Sequence, residues 1–582
     1  MPSLEQALDL HRAGNLPEAE RSYRAVLQAQ PRQPDALALL GVVLEAQGRA
    51  REAVDFIRKA VALDPKAPLF RLHLGNALLA AGDATAAVAE LRLAARLQPH
   101  LAEAHYNLGN ALRQTDDNAG AITAFRVCLA LMPQFHLARN NLALLLSAAG
   151  DHGAAQAELQ KVLAAEPQNI MAQISLAQVA DAAGDYAASL HAAERAIALQ
   201  PQHPDALFAR ALALNRLQRD DDAAAVYRRL LDVVPQHTHA WDNLGQSLQQ
   251  LGQTAAAEAA YRQALVCAPD DADTNYHLAL LLLLQGKLEQ GFHAYDWRWR
   301  AVPGLRRLSL SAPLWDGKNA AGRTILVADE QGFGDGLMFC RYLPLLRARG
   351  ARVIYACRAP LLPLLHGWDG ADQVIPITEA PQAVCDAHCS LLDLPYMLGT
   401  TVATIPAAIP YLQAPAGTIP EPVAATDMVR VGLVWAGNPN HKHDRRRSIA
   451  LTQFVRILGV PGVRYYNLLR PDDLRDADAA RLAHDNIVDL GATFGDFADT
   501  ARGIAALDLV ITVDTAAAHL AGALGKATWV LLPFAPDWRW QTEREDSPWY
   551  PGMKLYRQAH PGDWDGVLRR VREDLARLRP GA

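Results

Sequence analysis

The chain has 582 residues, 51% hydrophobic and 20% charged, with 56 Lys+Arg against 62 Asp+Glu and a formal net charge of −6. That apolar share excludes a disordered chain, and the acidic balance excludes a protein built for blanket contact with nucleic-acid phosphates. At about 150 residues per domain the length predicts roughly four domain-sized units, and no run approaches the ~18 apolar residues of a transmembrane segment.

The N-terminus, MPSLEQALDLHRAG, lacks a basic region followed by a long apolar stretch, so no signal peptide is expected. Six scattered cysteines read as reduced thiols, and the predicted location is cytoplasmic. From there the chain keeps a beat. Pro31, Pro65, Pro99, Pro133, Pro167, Pro201, Pro235 and Pro269 recur every 34 residues. Leu40-Gly41, Leu74-Gly75, Leu108-Gly109 and Leu244-Gly245 share one phase, and Gly14, Gly48, Gly82, Gly150, Gly184, Gly252 and Gly286 another. Ala19, Ala53, Ala87 and their equivalents supply a small residue, with a bulky one four later, as in Tyr23, Phe125, Tyr227 and Tyr261. The Leu and small residues line a face where a second helix comes close. The glycines end the first helix in a backbone that tolerates positive φ, and the prolines stop the second helix.

These positions resemble the tetratricopeptide repeat, in eight full units and a modified ninth over residues 1–300. The resemblance implies an α-solenoid: stacked helix pairs forming a superhelix whose groove holds a protein or peptide partner. Asn107, Asn110, Asn140 and Asn141, with Asn76 and Asn243 extending them, resemble the asparagine ladder by which some such proteins grip a peptide backbone. Exposed asparagine is equally plain polar surface. The ninth unit, GKLEQGFHAYDWRWR, crowds Trp297 and Trp299 at its end, and they are expected to pack the last repeat against the second half of the chain.

After a connector at 301–322 the pattern changes to short apolar runs. Strands are predicted at Thr324–Ala328, Arg352–Cys357, Gln373–Ile377 and Cys389–Leu394, with a helix over Asp335–Arg349. A Pro/Ala-rich stretch, with the linker proper at 416–428, separates the unit at 323–415 from a second at 429–582. The second unit reads as strands at Val429–Ala436, Val463–Leu468, Ile487–Leu490, Leu509–Val513 and Thr528–Leu532, and helices near Thr452–Leu458, Asp496–Ala506, Ala516–Leu524 and Trp564–Leu578. Alternation of this kind predicts two doubly wound α/β Rossmann-like domains facing across a cleft, the GT-B fold, with ligands at the carboxyl ends of the strands.

Three segments fall at such ends. In DEQGFGDG (329–336), glycines including Gly334 allow a tight turn, and Asp335 fits either a helix N-terminal charge or a general base for an acceptor hydroxyl. Glu330 and Gln331 flank it as candidate sugar or base contacts. In WAGNPNHKHDRRRS (435–448), Asn438, Lys442, Arg445, Arg447 and Ser448 form a basic loop suited to a diphosphate, with Trp435 beside it. In VDTAAAHLAGALG (513–525), Asp514 and Thr515 stand at the start of an alanine-lined helix whose free N–H groups suit a phosphate, with His519 one turn on. Trp538 and Arg539 lie in an aromatic loop that either covers a ligand or packs the domains. No metal is expected. Cys385, His388 and Cys389 lack a fourth ligand at usual spacing, and Asp563-Trp564-Asp565 begins a C-terminal helix.

LVITVDTAAAHLAGALGKATWVLLP resembles the donor-binding strand–helix–strand of the heptosyltransferases (glycosyltransferase family nine), with Ala516 in place of the customary Gly. GDGLMF at Gly334 resembles that family's acceptor loop, whose Asp is the proposed base. YDWRWR, DEQGFGD, GLVWAGN, HDRRRS, DWRWQ and SPWYPGMKLYRQ are similar to a bacterial group in which tetratricopeptide repeats precede such a domain, and the layout is similar to protein O-linked sugar transferases. The resemblance implies a metal-independent GT-B glycosyltransferase with a nucleotide-diphosphate sugar as donor and a protein as acceptor. Alternatives are a non-catalytic repeat adaptor with a GT-B-like binding module, and a transferase directed at lipopolysaccharide or another saccharide.

Overall fold

The computed structural model describes residues 3–417, 428–439 and 444–578, in two compact units, Met1–Val233 and Val234–Ala582. The first unit is an α-solenoid of seven helix pairs, from Leu4–Arg12 with Leu16–Ala29 to Pro204–Arg216 with Asp220–Val233. Why the 34-residue beat works is visible in each pair. Gly41, Gly75 and Gly109 lie directly on Ile57, Leu91 and Phe125 of the paired helix, and a Cβ on Gly109 would stand 2.6 Å from the Phe125 ring. Asp83, Asp117, Asp151 and Asp185 cap the second helices, each carboxylate accepting from the backbone N–H three residues on.

Between the helices of a pair the chain turns through positive φ, at 76–86° for Gly14, Gly48, Gly82, Gly150 and Gly184. Two units lack the glycine and keep the geometry. Asp116 (φ 61°) and Gln218 (φ 60°) take the same left-handed conformation at the same place in the beat.

The second unit opens with two more helix pairs, Thr238–Gln250 with Thr254–Cys267 and Ala272–Leu284 with a shortened Leu288–Ala294. Two parallel sheets come next. The first has β1 (Thr324–Ala328), β2 (Arg352–Cys357), β3 (Gln373–Pro376) and β4 (Ala387–Ser390) in the order β3-β2-β1-β4. The second has β5 (Val429–Val434), β6 (Val463–Asn467), β7 (Val488–Asp489), β8 (Leu509–Val513), β9 (Thr528–Leu532) and β10 (Met553–Arg557) in the order β10-β9-β8-β5-β6-β7. All pairings are parallel. Helices cross between strands, as an α/β architecture requires. In each sheet the strand order reverses beside the first strand, between β1 and β4 and between β5 and β8. Those reversals open the crevices where α/β sheets take ligands.

Several predicted boundaries move. β4 ends at Ser390, and 391–397 are helical rather than strand. The helix expected over 335–349 is Phe333–Phe339, a 3₁₀ turn at Cys340–Tyr342 and Leu343–Ala348, with Pro344 near the start of its last segment. β10 lies where no strand was predicted, after the aromatic loop; it is an edge strand, with Lys554 exposed between buried Met553 and Leu555. The connector packs down: Leu314 forms a parallel bridge to His388 of β4, and Trp315 is buried. Among the described residues no helix is long and apolar enough to cross a membrane.

Candidate functional site

The crevice ends of β1 and β8 meet. Beyond β1 the chain runs through Asp329, Glu330 and Gln331 to the helix Phe333–Phe339; beyond β8 it runs through Asp514 and Thr515 to the helix Ala516–Ala523. The Gly334 backbone lies against the second helix so closely that a Cβ there would stand 2.9 Å from His519 Cδ2 and 3.7 Å from Ala516 Cα. Gly334 is therefore needed for close approach, since its φ is not in the left-handed range.

Asp335 is the next residue. Its Oδ2 accepts from the Gly332 N–H at 2.8 Å, so the carboxylate closes the helix start as an N-terminal charge would. Its Oδ1 pairs with the Arg539 guanidinium from the loop after β9. Arg539 also holds Asp537 at 2.7 Å and lies 4.4 Å over the Trp538 ring.

On the β8 side, Thr515 caps the helix Ala516–Ala523 without accepting a side-chain bond, and its hydroxyl is 3.1 Å from the Thr512 hydroxyl. Alanines fill the first turn, leaving its N–H groups approachable, and the helix dipole favours an anion there. Burial pushes the Asp514 carboxyl up to about 6; neighbouring Asp537 adds to this, and Arg447 opposes it. His519 is buried, stacked on Trp540 at 5.4 Å, with Nδ1 3.0 Å from the Tyr550 hydroxyl. Burial, then the Arg539 charge, with a further contribution from Arg341, lowers its imidazole to about 3, so it is neutral at physiological pH.

The basic loop contributes unevenly. Arg447 donates from Nη1 to the Asp514 carbonyl at 2.9 Å and lies over Gly437, where a Cβ would meet its guanidinium. Buried Asp444 orders the loop: it accepts from the Ser448 hydroxyl at 2.7 Å, and that hydroxyl accepts from the Gly437 N–H at 3.0 Å. Ser448 thus positions backbone. Arg445 and Asn438 are exposed. Lys442 lies outside the described residues.

Four flanking residues serve the protein's own packing. Glu330 is buried in a bidentate pair with Arg298 of the ninth repeat, at 2.8 and 2.9 Å, and Arg298 Nη2 also reaches Asp393 at 2.6 Å. Gln331, at φ 58°, accepts from the Tyr295 hydroxyl at 3.1 Å. Trp435 is fully buried and donates from Nε1 to Asp478 at 2.9 Å. Trp538 is buried against Phe292, Phe339 and Trp549. The junction of the last repeat with the sheets is thus made by Phe292, Tyr295 and Arg298. Trp297 and Trp299 are half-buried and sit under arginines instead.

In the solenoid the asparagines link neighbouring repeats. Asn107 donates to Asn76 at 2.8 Å and Asn141 donates to Asn110 at 3.0 Å, while the Asn140 carbonyl is buried without a partner among the described residues. Among those residues no three His, Cys, Asp or Glu side chains gather as a metal would require.

Sequence reading passed over Arg298, Arg341 and Asp537, all of which border the site. Each sits in an aromatic-rich stretch without a spacing rule. The available signal was an arginine or carboxylate among aromatic residues, and it is weak until the fold brings the partners together.

Comparison with known proteins supports the repeats. Tetratricopeptide-repeat models match residues 4–68, 174–237 and 243–304, and further repeat models match 75–116, 102–135 and 137–169. Residues 4–304 therefore carry tetratricopeptide repeats. Protein FlbA of Caulobacter vibrioides is 25% identical over 334 residues, which are 52% of this chain and 55% of that protein, so the chain spans about half the length of the curated relative it matches. The APC/C hetero-tetramer Cut9–Hcn1 is similar at 15% identity and TM-score 0.37, covering 48% of this chain and 55% of that one. A tetratricopeptide-repeat protein from Parabacteroides merdae is similar at 15% identity and TM-score 0.38, covering 43% and 98%. MamA is 26% identical with TM-score 0.27, covering 28% and 94%.

Proposed function

We propose that the chain is a metal-independent GT-B glycosyltransferase that moves a sugar from a nucleotide-diphosphate donor to an acceptor hydroxyl, with its repeats recruiting a protein acceptor. The observation that carries this reading is the meeting of two strand-end segments from two parallel sheets, where Gly334 lies on His519 and Asp335 pairs with Arg539. A carboxylate then faces an anion-suited helix start across one crevice.

In the proposed reaction the acceptor oxygen bonds to the anomeric carbon as the bond to the diphosphate oxygen breaks. Asp335 takes the hydroxyl proton once Arg539 has turned to the donor, and Arg447, His519 and the Ala516 N–H end hold the departing diphosphate.

A second reading is a binding module whose chemistry is lost, with the repeats as a protein-interaction adaptor. It is favoured by the two arginine pairs, Arg539 on Asp335 and Arg298 on Glu330, which occupy both carboxylates. Calorimetric titration with a panel of nucleotide sugars, combined with a donor-hydrolysis assay, separates the two. Binding with slow donor hydrolysis is expected of the transferase. Binding with no turnover on any acceptor supports the adaptor, and no binding by any nucleotide sugar removes the transferase.

A further inference from the structure

Arg341 is a buried cation without a carboxylate partner among the described residues. It stands in the first sheet's domain, yet Nη1 donates to the Trp549 carbonyl at 2.5 Å and Nη2 to the Tyr411 hydroxyl at 2.7 Å, while Nε donates to the Met338 carbonyl at 2.8 Å. Its guanidinium lies 4.4 Å from the ring centres of both Tyr411 and Tyr550. An unpaired buried guanidinium is costly unless carbonyls, hydroxyls and ring faces share its charge, as they do here.

The hydroxyls around it have a determined order. Tyr411 gives its own proton to the Leu337 carbonyl at 2.9 Å, so its oxygen receives from Arg341. Tyr550 then has two acceptors in reach, Tyr411 Oη at 3.4 Å and His519 Nδ1 at 3.0 Å. The shorter contact is the better hydrogen bond, and the Arg341 charge beside the ring favours Tyr550 as donor. The opposite edge of the imidazole faces Gly334, where a Cβ would stand 3.6 Å from Nε2.

We infer that Arg341 and Tyr550 are positioning residues: the Tyr550 hydroxyl, on a ring that lies under the Arg341 guanidinium, donates to His519 Nδ1 and fixes the Nε2–H tautomer, a donor on the imidazole edge that faces Gly334. An imidazole in this state is a neutral hydrogen-bond donor, suited to an oxygen of a nucleoside diphosphate. The identity of that ligand rests on the proposed transferase reading; the tautomer does not.

Long-range ¹H–¹⁵N spectra of the full chain with labelled histidine read the tautomer directly, His519→Gln identifying the signal. The wild type is expected to show a bare Nδ1 and a protonated Nε2 between pH 6 and 8, and Tyr550→Phe to populate the Nδ1–H form. Uridine diphosphate, as the probe, is then expected to bind Tyr550→Phe about tenfold more weakly at unchanged melting temperature. A wild type carrying its proton on Nδ1 overturns the inference without any variant, as does a Tyr550→Phe protein whose His519 signals are unmoved. A wild type with the expected tautomer that binds no nucleoside diphosphate upholds the positioning pair and removes the transferase reading instead.

Discussion

The Arg539 guanidinium, carried on the loop after β9, pairs with the Asp335 carboxylate beyond β1, so the two sheets of the second unit are joined through a charge pair at the crevice itself. Arg539 is shared with Asp537 at 2.7 Å, where burial would raise the Asp537 carboxyl but the Arg539 charge and hydrogen bonds outweigh it and lower it from its ordinary value. In the proposed reaction this pair is the resting state, and Asp335 becomes a base when the donor's diphosphate draws Arg539 away. Asp335→Asn is accordingly expected to lower the transfer rate by about 10²–10⁴-fold, the span of general acid–base contributions, with the nucleotide-sugar Kd within about threefold of wild type. Calorimetry and a transfer assay on the same preparation check this. Full residual activity removes Asp335 from the mechanism.

Arg298 joins the ninth repeat to the first sheet from a fully buried position. Removing one member of a buried pair leaves the others uncompensated, at about 3–5 kcal/mol. Arg298→Met strands both Glu330 and Asp393, and a loss of that size is expected in the urea unfolding of the second unit. The double variant Arg298→Met/Glu330→Leu should recover part of it, because an apolar pair carries no desolvation cost. A single variant as stable as wild type would show that the pair contributes nothing.

Asp116 and Gln218 occupy the left-handed turn that glycine fills in other repeats. An L-residue there costs roughly 1–2 kcal/mol, partly offset by the larger entropy glycine loses on folding. Asp116→Gly and Gln218→Gly are each expected to stabilise the solenoid by about 0.5–1 kcal/mol, read as a raised melting temperature. A lowered one would mean that the native side chains make contacts outweighing the strain.

The repeats were legible because each rule is local: a glycine at a close helix contact, a glycine at a positive-φ turn, a proline after the second helix. Gly109 on Phe125 is set by residues 16 apart, and the 34-residue beat repeats the signal. Where the beat loses its glycine, at Asp116 and Gln218, neighbouring repeats still impose the turn, and composition gives no warning. The α/β half was legible as alternation and as strand ends, and Asp335, Arg447, Asp514 and His519 do gather there. Strand order and pair partners were not. Glu330 looks like any acidic loop residue until Arg298, 32 positions earlier, is laid against it, and Arg341 meets Trp549 across 208 positions. Trp435 and Trp538 show the same limit, since an aromatic residue beside a strand end reads alike whether it faces a ligand or the core.

Asp514 supplies a pH test of the anion site. Burial raises its folded-state carboxyl to about 6, against an ordinary value near 4 in the unfolded chain. A raised carboxyl contributes stability that is fully present below the unfolded value and is lost as pH rises through about 6. At pH 7.5 the group is therefore ionised, and its charge both opposes folding and repels a neighbouring diphosphate. Asp514→Asn, which stays neutral, is expected to melt higher than wild type at pH 7.5, with the difference shrinking as pH falls from about 6 towards 4. Uridine diphosphate is expected to bind the wild type more tightly as pH falls through about 6, and this component should be missing in Asp514→Asn. The comparison of the two proteins matters, because the diphosphate itself gains protons over part of the same range and that contribution is common to both. Parallel melting and binding profiles for wild type and variant would show that Asp514 titrates at its ordinary value and carries no charge penalty at the site.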